Sequence, residues 1–244
     1  MIYAIYFSPT DNSKKYVEAM CKAISNEYIS LDITSKEVYK EFTNEDFVII
    51  GAPVYAGRIP HVSKQRFSLF KGNKTPCIIV GTYGNRHYDD ALVEMQDLFE
   101  SNGFVVYGAC ALIGRHTYGS IAMDRPNEND LKEACKFSFE IYHRNKAVQS
   151  IIPGNHHDND VVNKGRFHPL TTNGCVQCGL CVSNCPVGAI LEDCKTISDD
   201  CISCFRCIRK CPVMAKNMDD ENYNSFAAMF TEKLKEPREN EYFK

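Results

Sequence analysis

The fold of the last third of this chain is decided by one stretch, Cys175-Val-Gln-Cys178-Gly-Leu-Cys181-Val-Ser-Asn-Cys185-Pro186. It recurs 26 residues later as Cys201-Ile-Ser-Cys204-Phe-Arg-Cys207-Ile-Arg-Lys-Cys211-Pro212. Both copies have the spacing C-x₂-C-x₂-C-x₃-C-P. Three thiolates separated by two residues each can wrap three corners of one cubane, and the proline carries the fourth cysteine away from its own run. The repeat therefore predicts a small module built around two inorganic clusters.

This spacing is that of bacterial two-cluster ferredoxins, in which the fourth cysteine of each run ligates the cluster of the other run. Each predicted [4Fe–4S] cluster therefore takes three cysteines from one run and one from the other. The first ligand set is Cys175, Cys178, Cys181 and Cys211, and the second is Cys201, Cys204, Cys207 and Cys185. Because neither cluster can form without both halves of the module, we expect cluster assembly and folding to be coupled.

Two structural zinc sites are the alternative, because each run contains C-x₂-C pairs. A tetrahedral zinc site joins two such pairs, whereas each run here has three cysteines in series and a fourth before proline. The spacing therefore favours iron–sulfur clusters. Cys194 lies between the runs and outside both patterns, and we expect it to be a bystander.

Composition and charge exclude several classes of protein. No apolar run approaches the roughly 20 residues that a membrane-spanning helix needs, and a net charge of −3 with interspersed signs leaves no nucleic-acid footprint. The N-terminus enters an apolar strand at Ile2 without a secretory signal, so we expect a cytoplasmic location. In a reducing cytosol, 13 cysteines are more often metal ligands than disulfides. The basic residues Arg206, Arg209 and Lys210 are expected to form a solvated face.

The first 145 residues alternate between predicted strands and helices. The five apolar runs that predict strands are Ile2–Phe7, Tyr28–Ile33, Phe47–Gly51, Cys77–Gly81 and Phe104–Ile113. Helical spacing follows the first run and recurs in Ala91–Ser101 and Asp130–Asn145. Strands that alternate with helices imply right-handed crossovers and a parallel sheet covered on both faces. The fold class is therefore α/β, with a doubly wound sheet of five parallel strands.

Ligands of doubly wound sheets bind beyond the carboxyl ends of the strands. The loop Ser8–Ser13 joins the first strand to a helix N-terminus, and its hydroxyls, amides and backbone N–H groups suit a phosphate monoester. It lacks the G-x₄-G-K-[ST] pattern of a Walker loop. The loops 52–60 and 82–90 bring glycine and tyrosine. These two loops suit a flat aromatic ring lying between them.

The loop Ser8-Pro-Thr-Asp-Asn-Ser13 resembles the FMN-phosphate loop of flavodoxins, [ST]-x-T-G-N-[ST]. The segments Pro53–Pro60 and Thr82–Asp90 resemble the two loops that hold the isoalloxazine ring. Together with the cysteine runs, the chain resembles the flavodoxin–ferredoxin fusion proteins of anaerobes. The resemblance implies a flavodoxin-like sheet of order 2-1-3-4-5, followed by a small α+β two-cluster ferredoxin domain, and it implies FMN.

The cofactor-binding residues implied by the resemblance lie in these three loops. They are Ser8, Thr10, Asp11, Asn12, Ser13, Pro53, Val54, Tyr55, Ala56, Gly57, Thr82, Tyr83, Gly84, Asn85 and Tyr88. Asp11 stands where the flavodoxin loop has glycine, so a carboxylate lies beside a dianionic phosphate. A domain that has lost its flavin is therefore an alternative. A phosphoacceptor receiver domain is disfavoured, because its acidic positions read Ser8-Pro9-Thr10 and Gly51-Ala52-Pro53.

The predicted domains follow from these patterns. They are a flavodoxin-like FMN-binding domain at 1–148, a linker at 149–170, a two-cluster ferredoxin domain at 171–218 and a C-terminal helical tail at 219–244. The tail has apolar residues at helical spacing, and we expect it to pack back onto one of the domains. The linker histidines His156 and His157 are expected to be exposed rather than metal ligands.

The predicted function is electron transfer in the cytosol between two [4Fe–4S] clusters and FMN, with redox partner proteins as donor or acceptor. Clusters pass one electron at a time, whereas a flavin can accumulate two. The alternative is an FMN-dependent reductase of a small organic substrate, for which His87 is the candidate proton donor. A redox sensor or scaffold with structural clusters is the third hypothesis. We identify no nucleophile–base pair, so no residue is predicted to be catalytic.

Overall fold

The computed structural model of the 244-residue chain describes residues 1–157, 159–160, 162 and 164–244. Asp158, Val161 and Asn163 of the predicted linker lie outside the described residues. The strands are β1 (Ile2–Tyr6), β2 (Ile29–Asp32), β3 (Lys40–Glu41), β4 (Phe47–Pro53), β5 (Phe70–Lys71), β6 (Thr75–Tyr83), β7 (Phe104–Ile113), β8 (Leu170–Thr171), β9 (Lys216–Asn217) and β10 (Glu241–Phe243). The helices are α1 (Asn12–Ile24), α2 (His61–Phe67), α3 (Ala91–Ser101), α4 (Glu128–Arg144), α5 (Leu180–Ser183), α6 (Arg206–Arg209) and α7 (Glu221–Lys233).

The main sheet has the strand order β10-β7-β6-β4-β1-β2. All neighbouring pairs are parallel except β10–β7. The central strands are continuous apolar runs because helices cover both of their faces. On one face, α1 and α4 contribute Tyr16, Met20 and Phe137 to the core, and on the other face α2 and α3 contribute Phe67 and Phe99. The fold is therefore mixed α/β with a sheet that is mostly parallel.

The sheet has six strands rather than the predicted five, because part of the chain's tail joins it. β10 pairs antiparallel with β7, and the partners are Glu241 with Ala111, Tyr242 with Cys110 and Phe243 with Ala109. The prediction of a wholly helical tail missed this strand, since three residues carry too short a pattern to show a period. Pairing with β10 covers the backbone groups that an edge strand would otherwise expose.

The cysteine-rich part is a small unit with the antiparallel pair β8–β9 and the short helices α5 and α6. The 26-residue repeat is visible in its backbone. Residues with positive φ recur as the pairs Gln177/Ser203, Gly179/Phe205 and Gly188/Met214. Left-handed geometry suits glycine and strains most other residues. The second copy therefore keeps the backbone of the first while placing side chains at the two glycine positions, as Phe205 and Met214.

Among the described residues, no helix combines the length and apolarity needed to cross a bilayer.

Candidate cofactor sites

The loop after β1 leads directly into the N-terminus of α1. Asp11 caps the helix with a φ of 66° and makes no side-chain capping bond. The Ser8 hydroxyl accepts a hydrogen bond from the Lys14 backbone N–H at 3.0 Å, and Asn12 donates from Nδ2 to the Arg115 carbonyl at 2.9 Å. The first N–H groups of an α-helix have no carbonyl partner within the helix. This end of α1 can therefore hold an anion.

A cavity of about 320 Å³, called here the loop cavity, lies beyond the carboxyl ends of the central strands. Its volume falls within the range of small-molecule sites. The three predicted loops line it together. The predicted residues in its lining are Ser8, Thr10, Asn12, Ser13, Pro53, Val54, Tyr55, Ala56, Gly57, Thr82, Tyr83 and Gly84. The side chains of Ser13 and Thr82, which lie 69 residues apart, share a hydrogen bond of 2.6 Å and join the first loop to the third.

The structure places Asp11, Asn85 and Tyr88 outside this lining. Asp11 forms an ion pair of 2.8 Å with Lys210 of the cysteine-rich module. Asn85 donates to two carbonyls of the tail, at 2.8 Å each, and the Tyr88 hydroxyl donates to Glu241 at 2.8 Å. These three side chains therefore hold other parts of the chain against the loops, because their polar ends point away from the cavity.

The loop after β7, which was not among the predicted loops, also lines the cavity with Arg115, His116, Thr117 and Tyr118. This loop follows a parallel strand and therefore reaches the same edge of the sheet as the others. The change from an apolar strand to Gly114 and Arg115 is the signal that marks it.

Basic side chains dominate the charged lining of the cavity. They are Arg86, Arg115, Lys164 and Arg166. Burial lowers the pKa of His116 to about 4, and its Nδ1 accepts a hydrogen bond from the Tyr118 N–H at 2.8 Å. Burial, followed by the charge of Arg238, also lowers the pKa of His87. Both imidazoles are therefore neutral at pH 7, and lysine and arginine supply the positive charge.

Two smaller cavities lie within the cysteine-rich module. The first, called here the outer cluster cavity, is lined by Cys175, Cys178, Cys181 and Cys211. The second, called the inner cluster cavity, is lined by Cys185, Cys201, Cys204 and Cys207. Each set combines three cysteines of one run with the fourth cysteine of the other. The folded chain therefore gathers the same two groups of thiols that the spacing predicts.

Backbone donors converge on the thiols of these cavities. The Ala215 N–H donates to Cys211 Sγ at 3.2 Å, and in the other copy the Ala189 N–H donates to Cys185 Sγ at 3.3 Å. Burial raises the pKa values of Cys204 and Cys207 to about 12. A buried thiolate of this kind is stable when a metal coordinates it, so the inner set suits cluster ligation.

Cys194 lies beside the predicted ligands of the outer set. It is 1% exposed, has a φ of 60° and joins the lining of the outer cluster cavity. The pKa of Cys181 is raised by burial first and by Cys194 second. Cys194 is therefore a neighbour of the predicted ligands, although it lies outside both cysteine patterns.

The cysteine-rich module docks directly on the loop Ser8–Ser13, which follows β1. Arg206 is 8% exposed and donates to the carbonyls of Ser8 and Pro9 at 3.3 and 3.1 Å. On the opposite side, Arg66 donates to the Pro186 carbonyl at 2.8 Å. The expectation of a solvated basic face is therefore wrong for Arg206, because its guanidinium is taken up by carbonyls of the docked loop.

The same docking brings the inner cluster cavity next to the loop cavity. Ile202 and Ser203 lie between Cys201 and Cys204 in the chain, and both line the loop cavity. Ile202 lines the inner cluster cavity as well. One residue therefore forms part of the wall that separates the two.

Helix α7 lines another side of the loop cavity with Phe226 and Phe230, whose stacked rings have centroids 5.1 Å apart. The ring centroid of Phe226 lies 5.9 Å from that of Tyr118. The ring centroid of Phe205, in the module, lies 5.4 Å from that of Tyr118 and 5.6 Å from that of Tyr223. This aromatic cluster explains why a bulky residue occupies the left-handed position 205. The tail therefore contributes a wall of the cavity that was not predicted from the sequence.

Comparison with known proteins gives one family match, described as a 4Fe-4S binding domain, over residues 170–191. These residues include the first cysteine run, so this part of the chain is an iron–sulfur segment. An uncharacterised protein of Methanocaldococcus jannaschii is 27% identical over 139 residues, which are 53% of this chain and 89% of that protein.

Three solved structures are similar over 59% of this chain. An archaeal flavodoxin has 14% identity, 96% coverage of its own chain and a TM-score of 0.39. A flavodiiron core from Synechocystis has 14% identity, 35% coverage and a TM-score of 0.43, and the apo form of an NADH:FMN oxidoreductase has 12%, 88% and 0.44. The matched cysteine segment and the observed α/β fold support an iron–sulfur electron-transfer protein.

Proposed function

We propose that this chain is an electron-transfer flavoprotein that holds two [4Fe–4S] clusters and one FMN. One observation carries the proposal. Ile202 and Ser203, which lie between two predicted cluster ligands, line the same cavity as the three predicted flavin loops. A cluster held by Cys201, Cys204, Cys207 and Cys185 is then a direct neighbour of the flavin site.

The chain's own residues fit FMN at this cavity. The open N-terminus of α1 and the hydroxyls of Ser8, Thr10 and Ser13 would hold the phosphate, with nearby basic side chains adding positive charge. Tyr55 and Tyr83 belong to the two loops that would flank the ring. When bound, FMN accepts electrons singly and accumulates two, which a cluster alone does not do.

The two cluster sites differ in access to solvent, which suggests an order for the relay. Cys178 of the outer set is exposed, whereas Cys204 and Cys207 of the inner set are buried. We assign the outer cluster to exchange with a redox partner protein and the inner cluster to exchange with the flavin site. Helix α7 and the module both line the loop cavity, and we assign the cysteine-rich module as the route by which electrons cross the chain.

The domain organisation belongs to the same proposal. We assign residues 1–148 to a flavodoxin-like domain whose five parallel strands, in the order β2-β1-β4-β6-β7, give the flavodoxin-like arrangement 2-1-3-4-5. Residues 149–170 form the linker and 171–218 the two-cluster domain. The tail at 219–244 extends the sheet and covers the flavin site.

The test uses anaerobically prepared full chain with FMN bound and a reduced ferredoxin-type protein as donor. We expect fast flavin reduction in the native chain and a large loss of rate in Cys204→Ala, which removes an inner ligand. FMN content must stay equal in both, because only then does the rate report the relay. Equal reduction rates would contradict the proposed path.

A reductase of a small organic substrate remains the second candidate, and the basic lining of the cavity favours an anionic acceptor. His87 lines the cavity, and its lowered pKa makes it a proton donor only in acid. Turnover of quinones, nitroaromatics or enones that carry a carboxylate would then be saturable, rise as the pH falls below 6.5 and disappear in His87→Ala with FMN still bound. Absence of saturable turnover with these acceptors supports the carrier function.

A further inference from the structure

Lys216 is a buried cation that the relay described above does not use. It lies on β9, is 3% exposed and lines the outer cluster cavity. Its Nζ is buried and has no hydrogen-bond partner within the part of the chain that the structure describes. Burying an unpaired ammonium group is costly, so native proteins place such a group against compensating charge.

The position of Lys216 in the repeat makes this cation specific to the second copy. The equivalent residue in the first copy is Ile190, 26 residues earlier, which is 5% exposed and lines the inner cluster cavity. An apolar side chain therefore satisfies the packing at this position. Lysine at 216 adds a charge that the fold does not require.

Lys216 lies at the outer cluster site, because it lines the same cavity as the four cysteines of the outer set. Strand β9, which carries Lys216, also packs against helix α6, which carries Cys207 of the inner set. One ammonium group thus lies in the outer cluster cavity and on a strand that contacts the inner set.

We propose that Lys216 is a positioning charge that raises the reduction potentials of both clusters. The inference rests on the proposed two-cluster function. A cluster with four thiolate ligands is anionic, and each added electron increases its negative charge. A fixed cation nearby stabilises the reduced form, since net charge and hydrogen bonds to sulfur set cluster potentials.

The test is a redox titration of the anaerobically prepared full chain, followed by the electron paramagnetic resonance of the reduced clusters. Lys216→Ile, which installs the residue of the other copy, should lower both midpoint potentials. At a fixed solution potential, we expect the reduced-to-oxidised ratio of each cluster to fall at least tenfold, equal to 59 mV for one electron. Lys216→Arg should restore most of the loss because it keeps the charge.

Lys195→Met is the matched control, because Lys195 is an exposed lysine of the same module and its loss should leave both midpoints unchanged. Iron and sulfide are measured first in every variant. Native iron content with unchanged midpoints in Lys216→Ile would overturn the inference while leaving the two-cluster function intact. A native chain without iron would instead contradict the proposed function itself. If Lys216→Ile fails to assemble, Lys216→Met gives the same comparison.

Discussion

The two copies of the cysteine repeat have the same backbone and different surroundings. The first copy carries Gly179, Leu180 and Asn184, whereas the second carries Phe205, Arg206 and Lys210 at the equivalent positions. No cysteine of the outer set is buried and Cys178 is exposed, whereas Cys204 and Cys207 of the inner set are buried. The difference shows that the two copies meet different surroundings, since Arg206 of the second copy docks on the loop after β1 and Phe205 packs against the tail.

These substitutions also show which parts of the second copy are under local strain. Phe205 adopts a φ of 56° that glycine adopts at the equivalent Gly179. Its ring contacts Tyr118 and Tyr223, and burial of this aromatic area offsets the backbone strain. The second copy is therefore tied to the rest of the molecule by the aromatic packing of Phe205.

The largest expected effect is the loss of one cluster without the other when a single ligand is replaced. Cys204→Ala should remove the inner cluster and Cys178→Ala the outer one, each lowering iron and sulfide from about eight to about four per chain. Cys185→Ala should resemble Cys204→Ala, because crossed ligation assigns Cys185 to the inner set. Iron and sulfide analysis with redox titration distinguishes the variants. Loss of the outer cluster in Cys185→Ala would contradict the crossed arrangement.

The next largest effect concerns Arg206, which docks the second copy on the loop Ser8–Ser13. Arg206→Leu installs the residue of the first copy and removes two charged hydrogen bonds to carbonyls, which should cost about 1.5–3 kcal/mol of unfolding free energy. FMN affinity should fall as well, because the loop Ser8–Ser13 loses the hydrogen bonds from Arg206. Leu180→Arg is the reciprocal control at an exposed position and should change neither property. Chemical denaturation and FMN titration measure both.

Much of the fold and the candidate site could be predicted from local patterns. The helix Ala91–Ser101 and the strand Phe104–Ile113 occur at the predicted residues, because both are long and strongly periodic. Helix α2 and the pair β3–β5 were not predicted, since short elements depend on tertiary contacts more than on pattern. Twelve of the predicted flavin-loop residues line one cavity because the carboxyl ends of parallel strands share an edge.

Features that depend on contacts between distant parts of the chain could not be predicted. Asp11 looked like an obstacle to phosphate because sequence does not show that Lys210, 199 residues away, pairs with it. The covering helix α7 and the strand β10 have the same origin. Their positions are set by the aromatic cluster around Tyr118 and by the free edge of β7, neither of which has a local sequence signal.

The cover over the flavin site can be opened without touching a cluster ligand. Phe226→Ala should expose the cavity and raise quenching of bound FMN by iodide, because Phe226 lines the cavity. Met229→Ala is the control on the same helix, where Met229 is 55% exposed. We expect its quenching to match that of the native chain. Equal quenching in both variants would mean that α7 does not shield the flavin.

The smallest expected effect concerns the exposed pair of Asp11 and Lys210. Surface ion pairs contribute about 0–1 kcal/mol, so Lys210→Asn, which installs the residue of the first copy, should weaken FMN binding only a few fold. The weakening follows because the unpaired carboxylate then repels the phosphate. The double variant Asp11→Gly/Lys210→Asn should regain affinity. Fluorescence titration with FMN measures each step, and no recovery in the double variant would rule out this repulsion.

The most direct test of the central claim is the cofactor content of the full chain purified without oxygen. The proposed arrangement predicts about eight iron, about eight acid-labile sulfide and one FMN per chain, with absorbance from both clusters and flavin. Zinc in place of iron, or a chain that takes up iron but no FMN when FMN is supplied in excess, would contradict it.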